Sequence, residues 1–108
     1  MTTYTNTSYV AKDVGASPST LMTVAGATTA AITSLVVANT TVAAITTDVY
    51  FTRSAVDYYI VKGADVPIGG ALEVMQGSRI VLIAADVLKV ATNASSSADV
   101  IVSVLNAS

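Results

Sequence analysis

Asp99-Val100-Ile101-Val102-Ser103-Val104-Leu105 is the stretch that decides the fold. Successive side chains of an extended strand point to opposite faces, so Val100, Val102 and Val104 share one face while Asp99, Ile101, Ser103 and Leu105 share the other. The valine face belongs to a core. Ile101 and Leu105 make the second face apolar as well, which predicts a sheet covered on both sides, first by a partner sheet and then by another subunit. Ile80-Val81-Leu82-Ile83 repeats the pattern.

Outward from this stretch, short β-branched runs alternate with turn signals at the spacing of about 8–12 residues expected of a sandwich or barrel. Strands are predicted near Thr20–Val24, Ala31–Ala38, Ala44–Arg53, Asp57–Lys62, Ala71–Met75, Arg79–Ala84, Val87–Thr92 and Asp99–Leu105. Gly26, Asn39-Thr40, Gly63, Gly69-Gly70, Gln76-Gly77, Ala85-Asp86 and Asn93 to Ser97 punctuate them. Ala-rich stretches such as Ala25 to Ala31 compete as helix, but no segment has caps, an acidic first turn or i,i+4 charge pairs. The expected fold is therefore all-β: an antiparallel β-sandwich of about eight strands over residues 20–108. Residues 1–19 are polar, with Gly15, Ser17 and Pro18 near their end, and read as an N-terminal arm or a loosely attached first strand. That arm has few apolar anchors, chiefly Tyr4, Tyr9 and Val10, so it is expected to gain order only against a neighbour.

The chain has 108 residues, enough for one core of ordinary size. Hydrophobic residues make up 53% and charged residues only 11%, against roughly 25% charged in ordinary soluble domains. Ser and Thr fill the gap and leave a neutral surface that is easily buried against another chain. With a net charge of −2 and its charges scattered singly, the chain has no basic patch for a phosphate backbone. Nucleic-acid binding is not expected. Val14 to Thr47 carries no charge, but Thr, Ser, Gly and Asn interrupt it too often for a membrane span of ~20 apolar residues. Met1 to Ser8 carries no Lys or Arg, so no secretory signal is expected.

Chemistry is sparse. Without histidine or cysteine, the commonest general base, the commonest metal ligand and the thiol nucleophile are missing. The carboxylates Asp13, Asp48, Asp57, Asp65, Glu73, Asp86 and Asp99 show neither a close pair nor calcium-loop spacing. Asp65 and Asp86 sit beside turns, where an Asp accepts backbone N–H bonds. Gly69-Gly70 lacks the Lys-Ser/Thr pair of a phosphate loop and reads as a strand-entry turn. Asn6, Asn39, Asn93 and Asn106 each precede a Ser or Thr by two places, a pattern that composition and Asn-rich turns explain without glycosylation. Tyr50, Tyr58 and Tyr59 offer either a carbohydrate platform or, as the residue pattern favours, a core-plus-interface cluster. Arg53, Lys62, Arg79 and Lys89 read as solvated or subunit-bridging charges. No catalytic, cofactor or metal site is expected, and the chain is not expected to be an enzyme.

The run Thr20-Leu-Met-Thr-Val24-Ala-Gly26, then Ala31-Ile-Thr-Ser-Leu-Val-Val-Ala-Asn39, Asp48-Val-Tyr-Phe-Thr-Arg53 and Asp57-Tyr-Tyr-Ile-Val-Lys62 resembles small virion proteins of tailed bacteriophages. Val66-Pro-Ile-Gly-Gly-Ala-Leu-Glu-Val74, Arg79-Ile-Val-Leu82, Ala85-Asp86-Val-Leu-Lys-Val90 and Asp99-Val-Ile-Val-Ser-Val104 continue the resemblance. Related sequences tend to have Pro where this chain has Ala25, which leaves the first turn's geometry open. The resemblance implies a β-sandwich component of a phage particle, of the kind found in head decoration, neck, tail and fibre. It brings no catalytic residues. The expectation is a capsid decoration or cement protein in the virion, assembled in the host cytoplasm. Its partners would be copies of itself, three in number, and a major virion protein such as the capsid protein. A neck, tail or fibre component and a receptor-binding or carbohydrate-binding module are the alternatives. The interface residues expected from the pattern are Tyr4, Tyr9, Val10, Tyr50, Tyr58, Tyr59, Ile101 and Leu105.

Overall fold

The computed structural model describes residues 3–76 and 79–108. Nine strands make two antiparallel sheets: β1 (Tyr4–Val14), β2 (Ser19–Thr23), β3 (Thr29–Asn39), β4 (Ile45–Arg53), β5 (Val56–Val66), β6 (Ala71–Glu73), β7 (Ile80–Leu82), β8 (Val87–Thr92) and β9 (Ala98–Ala107). The first sheet runs β1-β9-β3-β6, with β7 also paired to β3, and the second runs β2-β8-β4-β5. Successive strands mostly cross between the sheets. The order is that of a jelly-roll sandwich, elongated to 49 × 26 × 21 Å.

The core follows from the alternation. Val100, Val102 and Val104 of β9 are fully buried, facing Ile32, Leu35 and Val37 of β3 within the first sheet's inner layer and Val49, Leu88 and Val90 of the second. Inner layers of two sheets interdigitate in this way when one face of each is apolar.

The N-terminal arm expected over residues 1–19 is not an arm where it is described. Tyr4–Val14 is strand β1, paired antiparallel with β9 from Tyr4 opposite Ala107 to Val14 opposite Ala98. The inward positions Thr5, Thr7, Tyr9 and Ala11 lie opposite the inward positions of β9, Tyr9 and Ala11 pack against the core, and Val14 is fully buried. An existing sheet supplies the hydrogen-bond partners that a polar segment lacks when read alone, which is why the boundary at Thr20 fails. Met1, Thr2 and the Gly77 of the expected Gln76-Gly77 turn lie outside the described residues.

β6 and β7 are two pieces of one edge strand along β3. Glu73 closes the break between them. Its carboxylate accepts hydrogen bonds from the Leu35 and Met75 N–H groups, both at 3.2 Å, and from the Ser34 hydroxyl at 3.2 Å. Gly63, expected as a turn, instead sits inside β5 at φ 65°. There the ladder to β4 shifts register, and the Gly63 N–H donates to the Asp48 carboxylate at 2.7 Å. Both a turn and a bulge call for a left-handed glycine, so the residue type alone does not separate them.

Two buried polar groups tie the loops to the sheets. The Asn39 side-chain amide donates to the carbonyls of Ala43, Val66 and Pro67 and accepts from Thr41. Its nitrogen is fully engaged inside the fold and is not a glycosylation acceptor. Asp86 is also buried. It accepts the Ile83 N–H at 2.9 Å, as its turn position predicts, and both Arg53 Nε and Nη2, the latter at 2.6 Å. Arg53, its side chain still 37% exposed, therefore clamps β4 to the turn before β8 through the buried Asp86.

The Arg53 hydrogen bonds hold the Asp86 carboxyl below its ordinary range, with the Ile83 N–H adding and burial opposing. A depressed folded-state value contributes stability that is complete above the unfolded-state value, about 3.9, and is lost as pH falls through the folded-state value below it. The melting temperature is expected to fall as pH drops below about 4. Asp86→Asn should lower it at neutral pH by several degrees, equivalent to about 2 kcal/mol for hydrogen bonds to a charged group. It should also flatten the acid limb in a series of thermal melts.

Candidate assembly interface

On the first sheet, the strand ladders bring the outward residues into rows. Val10 lies opposite Ile101 and Ile101 opposite Val36, while Leu105 lies opposite Ala31 and Ala31 opposite Val81. Between these apolar rows runs a row of serines, Ser8, Ser103 and Ser34. Val10 is 74% exposed, Ile101 51% and Val81 53%. Charge borders these rows: Lys12 lies 3.8 Å from Asp99 beyond the Val10–Ile101 pair, and Glu73, opposite Val36, ends that row with its carboxylate engaged by the Ser34 hydroxyl. Adjacent cross-strand rows of exposed aliphatic side chains, with charge only at their borders, are the composition of a buried contact and not of a solvated face.

The second sheet presents the opposite character. Tyr59, Tyr50 and Lys89 are neighbours across β5, β4 and β8, and Thr52 donates its hydroxyl to Asp57 at 2.7 Å beside them. The Tyr50 and Tyr59 rings stand 4.8 Å apart, and the Lys62 ammonium lies 4.8 Å from the Tyr59 ring. Tyr50 is buried beneath this cover. Burial, followed by Asp57, Tyr59 and Asp48, pushes its phenol above the ordinary value, so it stays a neutral donor. This face mixes charge and aromatics and is suited to water.

The eight residues singled out from the sequence thus separate into groups. Tyr4, Val10, Ile101 and Leu105 share the outer face of the first sheet. Tyr9 points inward and packs against the core. Tyr50 and Tyr59 lie on the outer face of the second sheet, while Tyr58 points to the other side and stacks on Phe51 at 5.5 Å. Tyr58 and Tyr59 therefore do not form one platform. Val36 and Val81 complete the aliphatic face; the sequence marks Val81 only as part of a stretch apolar on both faces and Val36 not at all, because a residue's place in a row depends on register, which a single strand does not specify. Among the described residues, no three carboxylates gather to hold a metal ion.

Neither a protein-family profile nor a curated protein matches the chain. Among solved structures it is similar to a chain of the Bacillus endospore appendages, described as a family of disulfide-linked pili. That likeness has a TM-score of 0.58 at 10% identity and covers 98% of this chain and 88% of the other. The two share a fold. Chains of infectious bursal disease virus, strains Gt and Gx, align with TM-scores of 0.44 and 0.40 at 10% and 14% identity. This chain spans about a third of their length, 35% and 33%.

Proposed function

We propose that the chain is a structural subunit that works by packing against copies of itself and against a larger protein shell, and that it catalyses no reaction. The observation that carries this reading is the outer face of the first sheet, with its aliphatic rows Val10–Ile101–Val36, ended by Glu73, and Leu105–Ala31–Val81. Removing such surface from water stabilises an assembly by about 25 cal/mol per Å², and repetition over many copies makes weak contacts sufficient. The specific role within this reading is head decoration or cement in a tailed-phage virion, to which the sequence resemblance points; neck, tail or fibre is the alternative station. The shared fold with a pilus chain supports a sandwich that serves assembly, although fold alone does not assign function. Disulfide linkage is not a route open to this chain, which has no cysteine. The exposed tyrosines Tyr58 and Tyr59 point to opposite sides of β5, which speaks against a glycan platform built on that pair.

Ile101→Lys is the direct test. A lysine there should leave circular dichroism and melting nearly unchanged, since Ile101 is half exposed. The same change should weaken self-association in light scattering and attachment in co-sedimentation with particles by tenfold or more, the loss of about 1.4 kcal/mol. Unchanged association and attachment would remove this face from the interface.

A further inference from the structure

The sandwich has four sheet edges, and three of them are protected. β5 carries Asp57, Lys62 and Asp65 and shifts register twice against β4. β2 has five residues, a register shift and Pro18 just before it, while β6 and β7 have three residues each. Short, charged or irregular edges are the usual defences against pairing with another chain. β1 has none of these from Tyr4 to Ala11. That stretch holds no charge, no proline and no register shift, and the first irregularity comes between Ala11 and Val14, where Lys12 and Asp13 stand.

The free backbone groups on this edge can be named. Thr3 and Ser108 exchange both N–H···O bonds, at 2.7 and 3.0 Å. In an antiparallel ladder such pairs alternate, so Thr5, Thr7, Tyr9 and Ala11 also bond to β9. Tyr4, Asn6, Ser8 and Val10 therefore turn their N–H and C=O groups away from the sheet, towards open space. Their side chains lie on the same outer face as Ile101 and Leu105.

We infer that this edge pairs with β1 of a second copy, antiparallel about a two-fold axis at Thr7, joining the two first sheets into one continuous sheet. The inference rests on the assembly reading above and names the contact. The side chains select the register. Centred on Thr7, Tyr4 of one copy meets Val10 of the other, so the edge's two most exposed apolar side chains cover each other on both sides of the axis. Asn6 then meets Ser8. A register moved by one hydrogen-bonding repeat sets Tyr4 against Ser8 or Lys12 and leaves the apolar pair unmade. Aromatic and β-branched pairs are the stabilising cross-strand combination. A two-fold contact closes on itself and joins copies in pairs, where the sequence reading put three together.

Because the chain has no cysteine, Thr7→Cys reports the contact directly. Directly opposed residues that do not hydrogen-bond bring their β-carbons to within about 5 Å, close to what a disulfide spans. Under mild oxidation Thr7→Cys should form a covalent dimer at least tenfold faster than Val42→Cys, whose site is 92% exposed and lies on the loop after β3. Ser8→Pro removes an outward N–H without touching the β1–β9 ladder and should convert the dimer to monomer in sedimentation. Val10→Lys, which keeps every backbone group, should weaken the dimer at least tenfold and guards against misfolding of the proline variant. Equal cross-linking of Thr7→Cys and Val42→Cys overturns the inference, as does association that neither Ser8→Pro nor Val10→Lys changes. A trimer indifferent to these variants overturns the edge contact and leaves the assembly reading standing. A strict monomer, both free at millimolar concentration and in particles, overturns both.

Discussion

Deleting residues 1–17 is expected to unfold the domain. β1 covers one whole side of β9, the strand whose Val100, Val102 and Val104 form the centre of the core. Its loss exposes that side and removes Val14, whose full burial is worth about 1.5–3 kcal/mol. The Val14 carbonyl accepts from the Ser97 N–H at 2.9 Å and the Ser97 hydroxyl at 3.2 Å, and the Gly15 carbonyl accepts the Thr92 N–H at 2.9 Å. Ser97 and Thr92 are buried. Buried donors stripped of acceptors cost about 1–3 kcal/mol each, and the whole domain has only about 5–15 kcal/mol to lose. Thermal melts followed by circular dichroism should show no cooperative transition, or one lowered by tens of degrees at about 4–8 °C per kcal/mol. A truncated protein that melts within a few degrees of the full chain would mean that β1 adds nothing to the fold.

Val102→Asp should be as damaging, although it lies next to Ile101, where a lysine is expected to be tolerated. Val102 is fully buried, with Tyr9 of β1 on one side and Leu35 of β3 on the other. A carboxylate there has no cationic partner nearby among the described ion pairs, which place Lys12 with Asp13 and Asp99, and Arg53 with Asp86. The effective penalty for an unpaired buried charge is several kcal/mol, comparable with the whole stability. Soluble Ile101→Lys beside unfolded Val102→Asp would separate the two faces of β9 at single-residue resolution. Comparable melts for the two variants would contradict the assignment of faces.

The two faces of β9 were readable from residues 99–105 because a strand buried on one side must alternate, and Val100, Val102 and Val104 do so without exception. The eight strands expected from residue 20 onward are all present, and the ninth lies in the segment expected as an arm or a loosely attached first strand. β1 was hidden because its inward residues include Thr5, Thr7 and Ala11, whose burial depends on a sheet already standing beside them. The Arg53–Asp86 clamp was equally invisible. It joins residues 33 positions apart, and neither residue type announces a partner at that distance. Of the interface, Val10, Ile101 and Leu105 could be seen as apolar outward positions, but their union with Val36 and Val81 into rows needed the pairing of three strands. Tyr9 misled because one aromatic in a polar segment reads as an anchor whether it points to a neighbour or to its own core.

Quantitative mass spectrometry of purified particles tests the central claim most directly, because a structural subunit must be present in stoichiometric amount. Head decoration predicts on the order of hundreds of copies per particle, repeated wherever the shell repeats its contact. Absence of the chain from purified particles, or its presence only at trace level below one copy each, would contradict a structural role.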